Sequence, residues 1–127
     1  MKILAGARRL SLALFMTIGA GSAVQPAAAE DMLWQIRSDY PYQVQVAFYS
    51  EWRDWEFPGA GHALNIDDSE LRRYNVSCNP GEKICLGAWV KGDVTRYWGV
   101  GFNRQQACRA CCFVCGDGPV PTQVLPK

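Results

Sequence analysis

The sequence predicts an all-β protein, a small single-domain antiparallel β-sandwich or partial barrel, stapled by disulfides and preceded by an N-terminal signal peptide. Three observations carry that expectation. Short runs of alternating apolar and polar residues recur with turn-forming residues between them, the pattern of half-buried strands. No stretch of the chain beyond its first thirty residues has the length and apolar periodicity of a core helix. Six cysteines occupy a 127-residue chain, four of them between Cys108 and Cys115. In a small exported domain such a density reads as a cross-linked framework.

Residues 1–29 have the layout of an export signal. Lys2, Arg8 and Arg9 make a basic start, Leu10 to Ala20 is apolar and uncharged, and Ala27-Ala28-Ala29 offers a cleavage site ahead of Glu30-Asp31. The apolar run falls short of the roughly 20 residues that a stable span needs, so no transmembrane anchor is expected after cleavage. Residues 30–115 then form the cysteine-rich β-domain, and residues 116–127, with Gly118, Pro119, Pro121 and Pro126, an extended or disordered tail. The expected location is secreted or periplasmic. The formal net charge is +1, and the leader holds three of the basic residues and none of the acids. What remains is weakly acidic and has no basic block, so the charge pattern gives nucleic acid no footprint.

The elements follow in order. Leu33 to Arg37 alternates, with Trp34 and Ile36 on one face. After Pro41, Tyr42, Val44, Val46 and Phe48 alternate with Gln43, Gln45, Ala47 and Tyr49, the clearest period of two in the chain. Glu51 to Phe57 mixes three aromatics with four charges, and Pro58-Gly59-Ala60-Gly61 opens a loop. Asp67 to Glu70 reads either as the acidic first turn of a short helix or as a turn before a strand from Leu71 to Cys78, and the alternation of Tyr74, Val76 and Cys78 favours the strand. Asn79-Pro80-Gly81-Glu82 has the chemistry of a tight turn, and Ile84 to Val90 returns from it. A second turn at Lys91-Gly92-Asp93 leads to a strand from Val94 to Val100. Trp89 and Trp98 flank that turn and are expected to face one another across the hairpin. Gly99 and Gly101 mark a bulge or the close approach of another backbone. Asn103 to Ala107 has helical composition over a very short stretch, and Cys108 to Cys115 reads as a last strand or an irregular wrap.

The cysteines support two bonding schemes. In a strand, Cys112 and Cys115 point to opposite faces, and residues three apart lie about 10 Å from each other, beyond the roughly 7 Å limit of a disulfide. A strand therefore sends two of the cluster to Cys78 and Cys85 and leaves two to close a local turn. Alternatively, Cys78 bonds Cys85 across its hairpin, and Cys108, Cys111, Cys112 and Cys115 pair among themselves. Six cysteines allow 15 connectivities, and spacing does not choose between them. Cys108-x2-Cys111 and Cys112-x2-Cys115 also have the spacing of a metal knuckle or a redox pair. A zinc site needs four converging ligands, and no βαβ pattern surrounds the cluster to supply a redox helix. No metal or other cofactor is expected.

The remaining chemistry is sparse. His62 is the sole histidine; it lies in a glycine loop with Asp67 and Asp68 downstream. No Gly-x-Ser-x-Gly elbow accompanies it. Asp67, Asp68 and Glu70 lack the spacing of a calcium loop, and Asn75-Val76-Ser77 fits a glycosylation acceptor. Glu51, Asp54, Trp52, Trp55, Phe57 and His62 make the one candidate ligand patch, with carboxylates and aromatics beside the Pro58–His62 loop. The function expected is a non-enzymatic binding or cell-envelope interaction module, with an unknown protein or glycan partner outside the cytosol. The alternative is a thiol-redox or metal-binding protein acting through Cys108–Cys115, and after it a small hydrolase using His62 or the Glu51–Glu56 acids.

Overall fold

The computed structural model describes residues 19–22 and 29–127; the segment read as a signal peptide lies almost wholly outside them. The described chain is all-β. Its strands are β1 (Glu30–Ser38), β2 (Val44–Ser50), β3 (Glu56–Phe57), β4 (Leu64–Ile66), β5 (Arg72–Cys78), β6 (Lys83–Val90), β7 (Asp93–Gly99), β8 (Cys112–Val114) and β9 (Gln123–Leu125), with one 3-10 turn at Phe102–Arg104. Among the described residues no helix is long and apolar enough to cross a membrane. A three-stranded sheet runs β5-β1-β9, and a six-stranded sheet runs β3-β2-β6-β7, with β4 paired to β2 and β8 to β6.

Alternation in the sequence becomes facing in the sheets. Met32, Trp34 and Ile36 of β1 and Val76 of β5 are buried, while Leu33, Asn75 and Ser77 between them face out. Opposite lie Val44, Val46 and Phe48 of β2 and Ile84, Leu86 and Ala88 of β6, in register across the central pair. Trp34 joins the two sheets, its ring 4.9 Å from that of Phe48 and 5.4 Å edge-on from that of Phe113. Aromatic pairs at such distances contribute about 0.5–1.5 kcal/mol beyond their buried area.

The six-stranded sheet is covered on its second face too, which is why Ile84 to Val90 is buried without interruption. That face carries Gln45, Ala47, Tyr49, Cys85, Gly87 and Trp89, and the segment from Val100 to Cys111 lies across it. The Phe102 ring sits edge-on 5.2 Å from Trp89. Gly87 is required here: a Cβ would come 2.5 Å from the Gly101 carbonyl oxygen and 2.8 Å from the Tyr49 ring. The close backbone approach expected near Gly99 and Gly101 is this crossing.

Two expectations are corrected. The pairing is not wholly antiparallel, because β9 runs parallel to β1, with Ile36 opposite Gln123. First and last strands share no tight connection, so no hairpin fixes their relative direction. Trp89 and Trp98 do not face one another: Trp89 pairs with Tyr97 and Trp98 with Ala88, which puts the two indoles on opposite faces. Residues 116–127, expected as an extended or disordered tail, are extended and anchored. Val120 and Leu125 are buried, and the Trp98 Nε1–H donates to the Pro126 carbonyl at 3.1 Å.

Candidate functional site

The Val100–Cys111 crossing creates a groove along the second face of the large sheet. Three recesses of about 410, 280 and 440 Å³ share Tyr49 as a lining residue; Arg104 lines the first and second, and Asn103 the second and third. Tyr49 forms the floor. Its hydroxyl accepts the Asn103 N–H at 3.2 Å, and burial raises its pKa above that of an ordinary phenol, so it is neutral at physiological pH. One wall is the chain between β2 and β4, with Glu51, Asp54, Trp55, Glu56 and His62; the other is the crossing segment with Asn103, Arg104 and Arg109.

Asn103 and Arg104 both have positive φ, 50° and 57°. Each such residue costs about 1–2 kcal/mol unless its surroundings hold it. They are held by the Asn103–Tyr49 bond and by the Arg104 guanidinium, which donates to the Ser50 carbonyl. Strain of this kind clusters at ligand-binding positions, and here it sits between neighbouring recesses, Arg104 lining the first and second and Asn103 the second and third.

The wall at Glu51–Phe57 is organised by a residue the sequence did not single out. Glu82 has only 1 % of its surface exposed. Its carboxylate accepts from the Ser50 hydroxyl at 2.7 Å, from the Asn79 N–H at 3.0 Å and from both Arg53 Nε and Nη2. The Arg53 guanidinium, more than any other partner, holds the Glu82 pKa down at about 2. Arg53 in turn stacks 4.6 Å over the Trp55 ring. One buried carboxylate thus fixes the start of the wall.

The structure divides the predicted ligand patch. Glu51 lines the first recess, Asp54 and Trp55 the second, and His62 the third. Trp52 lies instead over the β5–β6 turn, where a Cβ on Gly81 would be 3.6 Å from its ring, and it remains 65 % exposed. Phe57 packs into the core, its ring 6.2 Å from that of Phe48. The His62 backbone N–H closes a turn on the Gly59 carbonyl. Asp67 and Asp68 do not approach it as partners; they bind Arg72, at 3.4 and 2.7 Å.

The cysteines form three disulfides, and the scheme is the one a strand dictates. Cys85–Cys112 joins directly opposed residues of β6 and β8, with Cα atoms 4.0 Å apart. Cys78–Cys115 joins the two sheets across the core face, at a Cα separation of 6.2 Å. Cys108–Cys111 closes the turn that enters β8. That turn is the physical reason a pair three apart can bond: the extended stretch is only Cys112–Val114. Glu51 Oε1 lies 3.6 Å from Sγ of both Cys85 and Cys112, a grouping with the spacing of a metal site. The two sulfurs are bonded to each other and offer no thiolate, the form in which cysteine ligates metal.

No protein-family model matches this chain, and no curated protein or solved structure matches it either.

Proposed function

We propose that this protein is an exported, disulfide-stapled binding domain that takes an extended polar ligand, a glycan or peptide segment of a partner outside the cytosol, along the groove over Tyr49. The observation that carries the reading is the row of three recesses, each sharing lining residues with the next. A single enclosed pocket suits a small molecule; a run of open recesses with aromatic, acidic and basic walls suits a chain. Trp55, Trp89 and Phe102 supply apolar surface, and Glu51, Asp54, Glu56, Arg104 and Arg109 supply charge of both signs. Two facing sheets stapled by Cys78–Cys115 favour the sandwich form of the expected architecture over the partial barrel. Export is supported by the leader sequence, by the three disulfides, and by a first strand that begins at Glu30, the residue expected to follow cleavage.

The test is a titration of the purified protein with glycan and peptide collections, read by tryptophan fluorescence, since Trp55 and Trp89 line the groove. Saturable quenching that Arg104→Ala weakens about tenfold or more, in a variant with unchanged thermal unfolding, supports the groove. Binding that Arg104→Ala leaves intact while Trp52→Ala removes it would move the site to the exposed face over Gly81.

A further inference from the structure

The three disulfides differ in their surroundings. Cys78–Cys115 is sealed between the sheets, with both residues at 2 % exposure or less. Cys108–Cys111 lies at the recess of about 410 Å³, which Cys108 lines together with Arg104 and Arg109, and Cys108 is half-buried. Cys85–Cys112 adjoins it: Cys85 lines the same recess, Cys112 is half-buried like Cys108, and Cys111 Sγ lies 3.9 Å from Cys112 Sγ. The Glu51 carboxylate stands 3.6 Å from both sulfurs of that second bridge.

The species that attacks a disulfide is a thiolate, an anion. Approach to Cys85 or Cys112 meets the Glu51 carboxylate at contact distance and is opposed, the Lys83 ammonium 3.6 Å from that carboxylate offsetting part of the repulsion. Cys108 opens on a recess lined by Arg104, Arg109 and Glu51, two cations to one anion, and Cys85 in the same recess is only 3 % exposed, so Cys108 is the sulfur an entering thiolate reaches. The same recess is large enough to admit a small dithiol or the tip of a protein loop.

We propose that Cys108–Cys111 is a thiol–disulfide exchange site that accepts two electrons from a dithiol, with Glu51 confining the exchange to this bridge. The first thiolate of the dithiol attacks Cys108 Sγ. The Cys108–Cys111 bond breaks, Cys111 leaves as a thiolate and takes a proton from water, and a mixed disulfide joins the dithiol to Cys108. The second thiolate of the dithiol attacks its neighbour's sulfur in that bond. Cys108 leaves and is protonated in turn. The dithiol ends as a disulfide, and Cys108 and Cys111 end as thiols. The other two bridges stay closed, so the β-framework persists through the cycle. The exchange needs the first recess empty, so a ligand seated there would block it.

The experiment is graded reduction of the native, fully oxidised protein with dithiothreitol, quenched at intervals with an alkylating agent and mapped by peptide mass. Tryptophan fluorescence in the same samples follows the fold. Cys108 and Cys111 are expected to acquire label at least about tenfold faster than the other four cysteines, with fluorescence unchanged. In Glu51→Gln, labelling of Cys85 and Cys112 is expected to rise toward that of Cys108. A Cys111→Ser protein is expected to take up glutathione at Cys108 as a mixed disulfide. Labelling of all six cysteines together with the loss of native fluorescence would overturn the proposal. So would reduction of Cys85–Cys112 ahead of Cys108–Cys111, or a Cys108 that takes up no glutathione in the folded variant.

Discussion

Glu82 is a carboxylate with almost no exposed surface that stays ionised because Arg53, Ser50 and the Asn79 N–H surround it. Its folded pKa of about 2 lies below the ordinary 4.5. Its contribution is therefore fully present above pH 4.5 and is lost as pH falls toward 2. Urea unfolding across that window should show a steeper loss of stability in the native protein than in Glu82→Gln; equal slopes would contradict the buried pair. Arg53→Met should lower stability by about 1–3 kcal/mol, because the carboxylate keeps its other two donors. None of this was legible in the sequence. An acid in an Asn-Pro-Gly-Glu turn is solvated by default, and its partners Ser50 and Arg53 lie 32 and 29 residues upstream. The glycines spoke more clearly. Gly99 was marked as a close approach, and the structure gives the reason: φ is +60° and a Cβ would sit 2.0 Å from the Leu86 carbonyl oxygen. Gly99→Ala should fail to accumulate as folded protein, while Gly92→Ala, with open space around it, should fold at a cost set by its positive φ alone, about 1–2 kcal/mol.

Strands with one wet face were the readable elements. β1 and β5 announce themselves because burial alternates along them, β2 by its sequence period of two although both its faces are covered, and the alternation in Tyr74, Val76 and Cys78 located β5 to within a residue. β6 was bounded by its turns rather than by its period, since both its faces are covered. β9 was missed. It has three residues and proline on either side, so neither pattern nor propensity distinguishes it from a loose tail. It is held by Leu125, which is 2 % exposed, and by the Asp39 N–H, which donates to the Leu125 carbonyl at 2.9 Å. Leu125→Ala should destabilise the protein by about 2–5 kcal/mol, measured by chemical denaturation. A disordered tail would give a change within about 0.5 kcal/mol. The groove walls were half legible: the sequence offered Glu51, Asp54, Trp55 and His62, but placed Trp52 and Phe57 with them. Sequence neighbours separate here because the Arg53–Glu82 pair and the two-residue strand β3 turn successive side chains to different surfaces.

At the scale of the molecule, each bridge has its own task. Cys78–Cys115 spans 37 residues and clamps one sheet to the other; a chain-entropy estimate for a loop of that length is about 4 kcal/mol. Replacing both cysteines by alanine should lower stability by about 2–5 kcal/mol in denaturant unfolding, and an unchanged midpoint would contradict the clamp. Cys85–Cys112 and Cys108–Cys111 instead hold the crossing segment on the large sheet, and so hold one wall of the groove. The crossing itself was not legible, because a segment that covers a sheet face need not form an element of its own. The account therefore stands on the connectivity more than on any single strand. The measurement that tests it most directly is a disulfide map of the unreduced protein recovered from the exported fraction, by proteolysis and fragmentation mass spectrometry. The account predicts an N-terminus at Glu30 and the links Cys78–Cys115, Cys85–Cys112 and Cys108–Cys111. A peptide linking Cys78 to Cys85 would contradict it: the sheets would lose their clamp and the groove its wall.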